Sequence, residues 1–507
     1  MFNSVAKQFS ELWRKEDKIH VCTLFVTVLF GIAVRLVFLF QPIRYDEAFS
    51  FTYYASKPLA LGLSDYSFPN NHLFHTLLVH LAYSLLGNQP WVIRLPAFIA
   101  GILLVPAGYL AARTFYDKHA ALLAATMIAS SSPLIEYSTN GRGYTLICLI
   151  FMVILAVGAS LVHEDKPARW LLWSALAAVG FYTIPIMLYP FGIAVVWLYL
   201  SIICENPPSR RSSLIRSLFV ALAAVGLFTF TLYAPVFMSS GLGAVVANRF
   251  VAPKSWDDYT GQFPLSLHSV WSQWNRDVPA GVSLVLVLGF VASLVLHKRL
   301  NRYRVPLIVA IVVWLVPVLL VQRVVPFERV WLFLLPLYFA IASAGLIYSF
   351  SLFESKKVRA SALVPAVSVA LSLWLGLKVV SSQSVYYSDE TGTLRDAQEI
   401  TVFFQGYLKA GDRVLAGVPS DAPLIYYFDS YGVSREYLRS DLSLSQRVLI
   451  VVNESSHQTI GEFLHRVKFG LAEFSSPRVI RRYQSATLYE MNRASRPGWE
   501  PSSEGRG

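Results

Sequence analysis

Two adjacent carboxylates, Asp46 and Glu47, are the residues of this sequence with the clearest potential for chemistry. They stand in Arg44-Tyr45-Asp46-Glu47-Ala48-Phe49, a few residues after the long apolar run 21–40. Ionisable side chains at or near membrane depth are costly and mark candidate functional sites. A carboxylate in a water-accessible pocket there is suited to removing a proton from a hydroxyl group. The plain alternative is a solvated pair at a helix end.

Arginines form the second group of candidates, because the planar guanidinium matches the geometry of a phosphate group. Arg142 lies in Asn140-Gly141-Arg142-Gly143-Tyr144, where the glycines let the backbone approach a ligand closely. Arg329 follows Pro326-Phe327-Glu328 at the start of a later apolar run. Either arginine could instead be an interfacial cation whose stem lies along the membrane. Further candidates on the same predicted face are Arg44, Arg249, Arg276 and Arg323.

The composition places these residues in a membrane protein. Of 507 residues, 55% are hydrophobic and 15% are charged, and the mean hydropathy is +0.50, which is too apolar for an ordinary soluble domain. Apolar runs long enough to cross a bilayer predict a polytopic α-helical protein with about eleven transmembrane helices. The runs lie near 21–40, 92–112, 119–136, 144–162, 169–187, 189–204, 214–237, 281–296, 305–321, 330–351 and 360–380.

Lysine and arginine in the short loops predict the orientation of these spans. With the N-terminus in the cytoplasm, most loop cations fall on the cytoplasmic side, including Lys7, Arg14, Lys15, Lys18, Arg113, Lys118, Lys166, Arg169, Arg210, Arg211, Arg216, Lys298, Arg299, Arg302, Arg304, Lys356, Lys357 and Arg359. The carboxylate pair and the C-terminal region then lie outside the cytoplasm. Because these loops account for most of the net charge of +12, the basic balance does not indicate a nucleic-acid partner.

The order of apolar runs and polar segments along the chain predicts its domains. A cytoplasmic segment, 1–20, precedes a transmembrane catalytic domain, 21–380, with long outer loops at 41–91 and 239–280. The first loop contains His72, and Leu73–Leu86 is predicted to lie on the outer interface. Alternating strand and helix patterns predict a small extracytoplasmic α/β domain at 381–493, followed by a disordered tail, 494–507.

The second loop carries Trp256, Trp271 and Trp274. These residues either anchor the loop at the headgroup level or form a rim over a site.

A reaction on the outer side needs an activated donor that is present there. Nucleotide sugars are normally confined to the cytoplasm, so the residues favour a sugar carried on a polyprenyl phosphate. Its departing phosphate must be stabilised as negative charge develops, and outer arginines could supply that stabilisation. The sequence therefore favours transfer of a sugar to an outer hydroxyl.

The order of several short motifs resembles one family. Tyr45-Asp46-Glu47-Ala48, Asn70-Asn71-His72, Arg94-Leu95-Pro96, Glu136-Tyr137-Ser138 with Gly141-Arg142-Gly143-Tyr144, and the later Phe327-Glu328-Arg329 segment are arranged as in the protein O-mannosyltransferase and aminoarabinose (lipid A) transferase families. These are GT-C fold glycosyltransferases that take a sugar from a polyprenyl-phosphate carrier. The resemblance covers most of 20–350, but Leu73 and Phe74 follow His72 where relatives often have proline.

The resemblance implies roles for individual residues. Asp46 matches the acidic residue implied to be the catalytic base, and Glu47 its neighbour, which orients the acceptor or binds a metal. His72, Arg142 and Arg329 match a histidine and two arginines of the family, and we infer phosphate contact for the two arginines. Arg44, His72 and Tyr144 are further candidate contacts to substrate or phosphate. No cofactor is required, although Asp46, Glu47 and His72 could hold a divalent cation.

The resemblance also implies a setting and partners. The expected location is a bacterial inner membrane, with the active site and the C-terminal domain on the periplasmic side. The expected partners are membrane lipids, the lipid-linked donor and an acceptor that is lipid A, another glycan or a protein.

Two other functions remain open at this level. A transporter or flippase of a lipid-linked saccharide would place polar residues through the middle of the spans, but most spans here carry few charges, Arg35 being the chief exception. A transferase that uses a diphosphate donor would centre on a different outer loop with paired arginine and histidine. The C-terminal domain could select the acceptor, contact a partner or cap the spans.

Overall fold

The structure is a computed structural model that describes residues 17–247, 252–352, 360–443, 445–466 and 473–494. Most of the N-terminal segment 1–20, the candidate Arg249, the cytoplasmic cations Lys356, Lys357 and Arg359 and nearly all of the tail 494–507 lie outside these ranges.

Helices make up most of the described chain. In chain order they are α1 Lys18–Leu39, α2 Tyr45–Ser50, α3 Leu59–Ser64, α4 Leu73–Leu86, α5 Pro90–Phe115, α6 Lys118–Ser130, α7 Ser132–Ser138, α8 Tyr144–Leu161, α9 Pro167–Thr183, α10 Leu188–Glu205, α11 Pro208–Ser239, α12 Leu242–Val246, α13 Trp256–Trp274, α14 Ala280–Val295, α15 His297–Leu300, α16 Leu307–Gln322, α17 Leu334–Leu352, α18 Ala360–Ser382, α19 Ala397–Tyr407, α20 Asp421–Tyr431 and α21 Ile460–Arg466. A π-helical turn covers Phe51–Ala55, and 3₁₀ turns cover Pro185–Met187, Glu328–Trp331, Arg435–Leu438 and Glu454–Ser456. The strands are β1 Asp412–Ala416, β2 Arg447–Asn453, β3 Arg478–Arg482 and β4 Ala486–Asn492.

The chain forms two compact units. The first comprises Met1–Gln41 and Tyr53–Tyr387, and the second comprises Pro42–Thr52 and Ser388–Gly507. Residues 42–52, which the sequence analysis placed in the first outer loop of the membrane domain, thus group with the C-terminal residues. Asp46, Glu47 and Arg44 therefore belong to the second unit, whereas His72, Arg142, Tyr144 and Arg329 belong to the first.

The first unit is an integral membrane domain by the length and composition of its helices. Within the described residues, seven helices are long and apolar enough to cross a membrane, or up to eight if α6 and α7, bent by 60° at their junction, count as one span. The runs predicted near 281–296 and 305–321 are shorter apolar helices, α14 and α16, of 16 residues each. The total of eleven spans stays a prediction.

Helices α14 and α17 approach each other closely at two glycines. A Cβ atom on Gly345 would lie 1.8 Å from the carbonyl oxygen of Gly289, and one on Gly289 would lie 2.4 Å from Cγ of Leu346. Small residues allow this approach between membrane helices, whose association depends on van der Waals packing rather than on the hydrophobic effect.

We expect Gly345→Ala to lower the thermal unfolding midpoint of the purified protein, because the added methyl group must push the two helices apart. Overpacking of this kind costs about 1–3 kcal/mol. Gly226→Ala in α11 is the matched control, since a Cβ atom there meets nothing within 4 Å and alanine is the better helix former. Equal midpoints for the two variants would contradict the close approach.

The second unit contains a four-stranded sheet in the order β1-β2-β4-β3. Strands β1 and β2 are parallel, with Val414 opposite Leu449, and the other two pairings are antiparallel. The central strand β2 is almost entirely buried. On one side of the sheet, Val448, Ile450 and Val452 of β2 form a core against which residues of α21 pack, as expected for a parallel pair covered by a helix.

Backbone contacts attach the segment 42–52 to this unit. Arg44 forms an antiparallel bridge with Thr393, and the backbone N–H of Tyr45 donates to the carbonyl oxygen of Gly392 at 3.0 Å. The ring of Phe51 lies edge-on to Tyr426, with 5.7 Å between centroids. The start of α2 is therefore positioned by residues more than 300 positions later in the sequence.

Candidate functional site

Arg142 is a buried guanidinium held by residues of the loop that was predicted at 41–91. Its side chain is 2% exposed. Its Nη1 donates to the carbonyl oxygen of Asn70 at 2.8 Å, and its Nη2 lies 3.3 Å from Oδ1 of Asn70 and 3.0 Å from Nε2 of His72. These contacts fix the direction of the guanidinium, and a fixed direction suits a group that binds an anion.

The next residue, Gly143, brings the backbone against His72. Its N–H donates to Nδ1 of His72 at 3.0 Å, and a Cβ atom there would lie 2.8 Å from Cγ2 of Thr183. Only glycine fits this position without displacing a neighbour. The close backbone approach that the sequence predicted toward a ligand is thus observed toward His72.

The His72 imidazole is neutral in this setting. The N–H of Gly143 donates to Nδ1, a contact that a proton on Nδ1 would abolish. The positive guanidinium of Arg142 lies 3.0 Å from Nε2, where a second positive charge would be repelled. Burial and the neighbouring charge of Arg142 hold the pKa of His72 well below its usual value of 6.5. His72 is therefore a neutral polar contact rather than a second cation.

The environment of His72 should make the folded protein less stable at acidic pH. Below pH 6.5 the imidazole takes up a proton in the unfolded chain but not in the folded one, so its contribution to stability is full above that pH and is lost as the pH falls. Between pH 7.5 and 5 the stability of the folded protein should therefore fall. His72→Gln should show a smaller drop in unfolding midpoint over this range than the wild type. An equal drop would mean that His72 is protonated in the folded protein.

Arg329 reaches the same place from a distant part of the chain. Its Nε donates to the hydroxyl oxygen of Tyr144 at 3.1 Å, and its guanidinium lies 4.3 Å from the ring centroid of Phe327. The Tyr144 ring in turn lies edge-on to His72, with 5.2 Å between centroids. His72, Arg142, Tyr144 and Arg329 thus form one group of contacting side chains, which we call the cationic cluster.

Helix α13, which lies in the loop predicted at 239–280, supports the segment that carries Arg329. Oγ of Ser269 donates to Oε1 of Glu328 at 2.6 Å, and Oγ of Ser266 donates to the carbonyl oxygen of Pro326 at 3.3 Å. The sequence analysis considered this loop as an anchor or a rim. In the structure it also positions the residues beside Arg329.

Charged residues at the end of the same loop, Arg276 and Asp277, hold it against the helical unit. Arg276 forms an ion pair with Glu136 of α7, whose side chain is fully buried, and Asp277 accepts hydrogen bonds from Ser132, at 2.5 Å, and from Ser384. Arg276, a candidate phosphate contact from the sequence, is thus engaged with a carboxylate. In the sequence, Glu136 stood out only as part of the motif Glu136-Tyr137-Ser138, which does not identify Arg276 as its partner. Asn70 likewise stood out only as part of Asn70-Asn71-His72.

We expect Glu136→Gln and Arg276→Gln each to lower the unfolding midpoint markedly, because either change removes this ion pair and leaves its other member in place. Breaking a buried ion pair from one side costs about 3 kcal/mol. The double variant should lose less than the sum of the single losses, and a double-mutant cycle on the unfolding midpoints measures the difference. Additive losses would show that the two side chains act independently.

The carboxylate pair lies in the second unit. Oε1 of Glu47 accepts from the backbone N–H of Arg44 at 2.8 Å and closes a capping box at the start of α2. The guanidinium Nη1 of Arg44 donates to the carbonyl oxygen of Ser388 at 3.1 Å. Glu47 is fully buried, whereas Asp46 is 8% exposed. Glu47 thus stabilises the helix start, and Asp46 is the more accessible carboxylate of the two.

A metal at these residues gains no support. Across the described residues, no three His, Cys, Asp or Glu side chains come together in a way that could hold a metal ion. The set of Asp46, Glu47 and His72, which the resemblance allowed as ligands, does not form such a group. No step below is assigned to a metal.

The fold is that of a known class of membrane enzymes. The structure of ArnT from Cupriavidus metallidurans in the apo state matches with a TM-score of 0.57 and 14% sequence identity, covering 91% of this chain and 97% of that one. The structure of the same protein bound to undecaprenyl phosphate matches with a TM-score of 0.57 and 13% identity over the same shares of the two chains. The chain thus has the GT-C fold of this glycosyltransferase.

The sequence itself matches a family model. Residues 71–238 match the family described as dolichyl-phosphate-mannose-protein mannosyltransferase, a range that includes His72, Arg142 and Tyr144 of the cationic cluster. No curated protein matches the sequence at a significant level. Family model and fold together confirm the resemblance to GT-C glycosyltransferases that the motifs indicated, and they give the transporter alternative no support.

Proposed function

We propose that this chain is an inverting glycosyltransferase that moves a sugar from a polyprenyl-phosphate donor to an acceptor hydroxyl outside the cytoplasm. The acceptor is lipid A, another envelope glycan or a protein, and the membrane is the inner membrane of a bacterium with the site on its periplasmic side. The observation that carries the proposal is the cationic cluster, in which positions 72, 142, 144 and 329 meet.

In the proposed reaction, Asp46 accepts the proton of the acceptor hydroxyl as its oxygen attacks the anomeric carbon of the sugar. The bond between that carbon and the phosphate oxygen breaks, and the electron pair leaves with the polyprenyl phosphate. Arg142 and Arg329 stabilise the charge that develops on the phosphate. Attack from the face opposite the leaving group inverts the anomeric configuration. Glu47 keeps the start of α2, and with it Asp46, in place.

Several observations support this assignment. Arg142 is buried and fixed by Asn70, so little reorganisation is needed when an anion arrives. Because burial and Arg142 lower the pKa of His72, the positive charge of the cluster comes from Arg142 and Arg329. The ArnT structure that shares this fold was solved with undecaprenyl phosphate, and the matched family model is named for a dolichyl-phosphate sugar.

The test is a transfer assay with the purified chain in proteoliposomes. Undecaprenyl-phosphate and dolichyl-phosphate monosaccharides, dolichyl phosphate mannose among them, are supplied with an envelope extract as the source of acceptor. Mass spectrometry should detect free polyprenyl phosphate together with a product that is heavier by one sugar residue, and NMR should show an inverted anomeric centre. Movement of the donor across the bilayer without either product would favour transport and contradict the proposal.

A further inference from the structure

The second unit contains a cavity that the transfer reaction does not use. It has a volume of about 440 Å³ and lies where β1 and β2 end, between the residues that follow each strand and helix α21. In sheets with parallel strands, ligands bind in the crevice outside the carboxyl ends of those strands. The size is within the range of about 300–1,000 Å³ typical of small-molecule sites.

Hydrogen bonds, one of them buried, connect the loops that form this cavity. The side-chain amide of the fully buried Asn453, the last residue of β2, donates to Oγ of Ser420, which follows β1, at 3.1 Å, and its Oδ1 accepts from Ser455 at 2.7 Å. Gln458 joins the same two loops, because its Nε2 donates to the carbonyl oxygen of Val418 at 2.8 Å. The two walls are thus held at a fixed separation.

The lining combines an apolar surface with uncharged hydrogen-bonding groups. Leu415, Val418 and Phe463 supply the apolar surface, and Val418 is 62% exposed although it is a large aliphatic residue. Ser440, Ser456 and Thr459 supply hydroxyl groups, and Gln458 supplies an amide.

The charge of the lining limits the ligand. No lysine or arginine is among the described residues that line the cavity, and Glu462 contributes a carboxylate. His457 is the other titratable residue of the lining. A phosphate or carboxylate ligand would meet neither lysine nor arginine among these residues and would be repelled by Glu462. A ligand with many hydroxyl donors and apolar C–H faces fits this lining.

From these observations we infer that the crevice at the ends of β1 and β2 binds an uncharged saccharide. Its hydroxyl groups donate to Glu462 and exchange hydrogen bonds with the neutral polar residues, while its C–H faces lie on Val418 and Phe463. This inference does not rest on the proposed transfer reaction, because it concerns binding within the second unit alone. It gives that unit a role in holding a glycan.

The test is binding of the full-length protein in lipid nanodiscs to an array of oligosaccharides that includes neutral glucans, mannans and galactans with their phosphorylated and uronic-acid counterparts. The Asp46→Asn variant is used throughout, so that turnover does not complicate the measurement. We expect at least one neutral oligosaccharide to bind, with Val418→Glu and Glu462→Gln each weakening that binding about tenfold.

Matched controls separate the crevice from other sugar-binding surfaces. Val479→Glu places the same charge at another exposed valine of this unit, which lies on β3 and is 41% exposed. Glu436→Gln neutralises an exposed carboxylate. Neither residue lines the cavity. Both control variants should bind the oligosaccharide as the parent does. The inference is overturned if no neutral saccharide binds, if only acidic glycans bind, or if the crevice variants bind as well as the controls.

Discussion

Asp46→Asn is expected to lower the rate of sugar transfer by about 10²–10⁴-fold, because the amide cannot accept the proton of the attacking hydroxyl. The change is nearly isosteric, and the capping hydrogen bond between Glu47 and the backbone of Arg44 does not involve Asp46. The variant should therefore keep the unfolding midpoint of the wild type. The measurement is single-turnover release of polyprenyl phosphate in proteoliposomes, with binding of the donor recorded separately.

A matched variant makes this result specific. Asp257→Asn applies the same chemical change to an exposed carboxylate at the start of α13 and should transfer sugar at the wild-type rate. Donor binding by Asp46→Asn should also be close to normal, since a base acts on the acceptor. Wild-type transfer by Asp46→Asn would remove this residue from its proposed role, and a lowered unfolding midpoint would instead point to a structural one.

The second large effect is expected at Arg142. Arg142→Gln should reduce transfer by about 10²–10³-fold, the loss typical when one fixed donor to a developing anion is removed. Arg142→Lys should recover only part of the activity, because a lysine keeps the charge but cannot reproduce the directed fork of the guanidinium that Asn70 orients. Both variants should also bind undecaprenyl phosphate more weakly, as measured by native mass spectrometry.

Arg323 provides the control for this prediction. It is another arginine of the first unit on the predicted outer side, and its guanidinium lies 5.5 Å from the ring centroid of Trp256. Arg323→Gln removes an equal charge at the same predicted membrane face and should leave both transfer and lipid binding near the wild-type values. Equal losses in the Arg142 and Arg323 variants would indicate a general effect of surface charge rather than a phosphate contact.

The membrane class of this protein was predictable because it depends on local properties of the chain. A run of apolar side chains long enough to cross a bilayer is visible without knowledge of any partner, and the helices Lys18–Leu39 and Tyr144–Leu161 lie close to the predicted runs. The bend between α6 and α7 was missed, because the run near 119–136 gives no sign of the change in direction next to Pro133.

Among the candidate site residues too, some features were predictable from the sequence and others were not. Arg142 and Arg329 were selected from the sequence for their chemistry and their flanking residues, and the structure places both in contact with Tyr144 or His72. Arg276 had the same residue type and the same predicted side of the membrane, yet it is paired with Glu136. Residue type alone could not distinguish Arg142, which contacts Asn70 and His72, from Arg276, which neutralises a buried acid.

The sequence by itself determined that this chain spans a membrane, that it resembles glycosyltransferases using lipid-linked sugars, and which acidic and basic residues are candidates for chemistry. Only the tertiary structure decided that His72, Arg142, Tyr144 and Arg329 are neighbours, that Glu47 caps a helix, and that residues 42–52 group with the C-terminal unit. The reason is physical. Hydrophobicity and charge act over a few residues and can be read along the chain, whereas a contact between positions nearly two hundred residues apart depends on how every intervening helix packs.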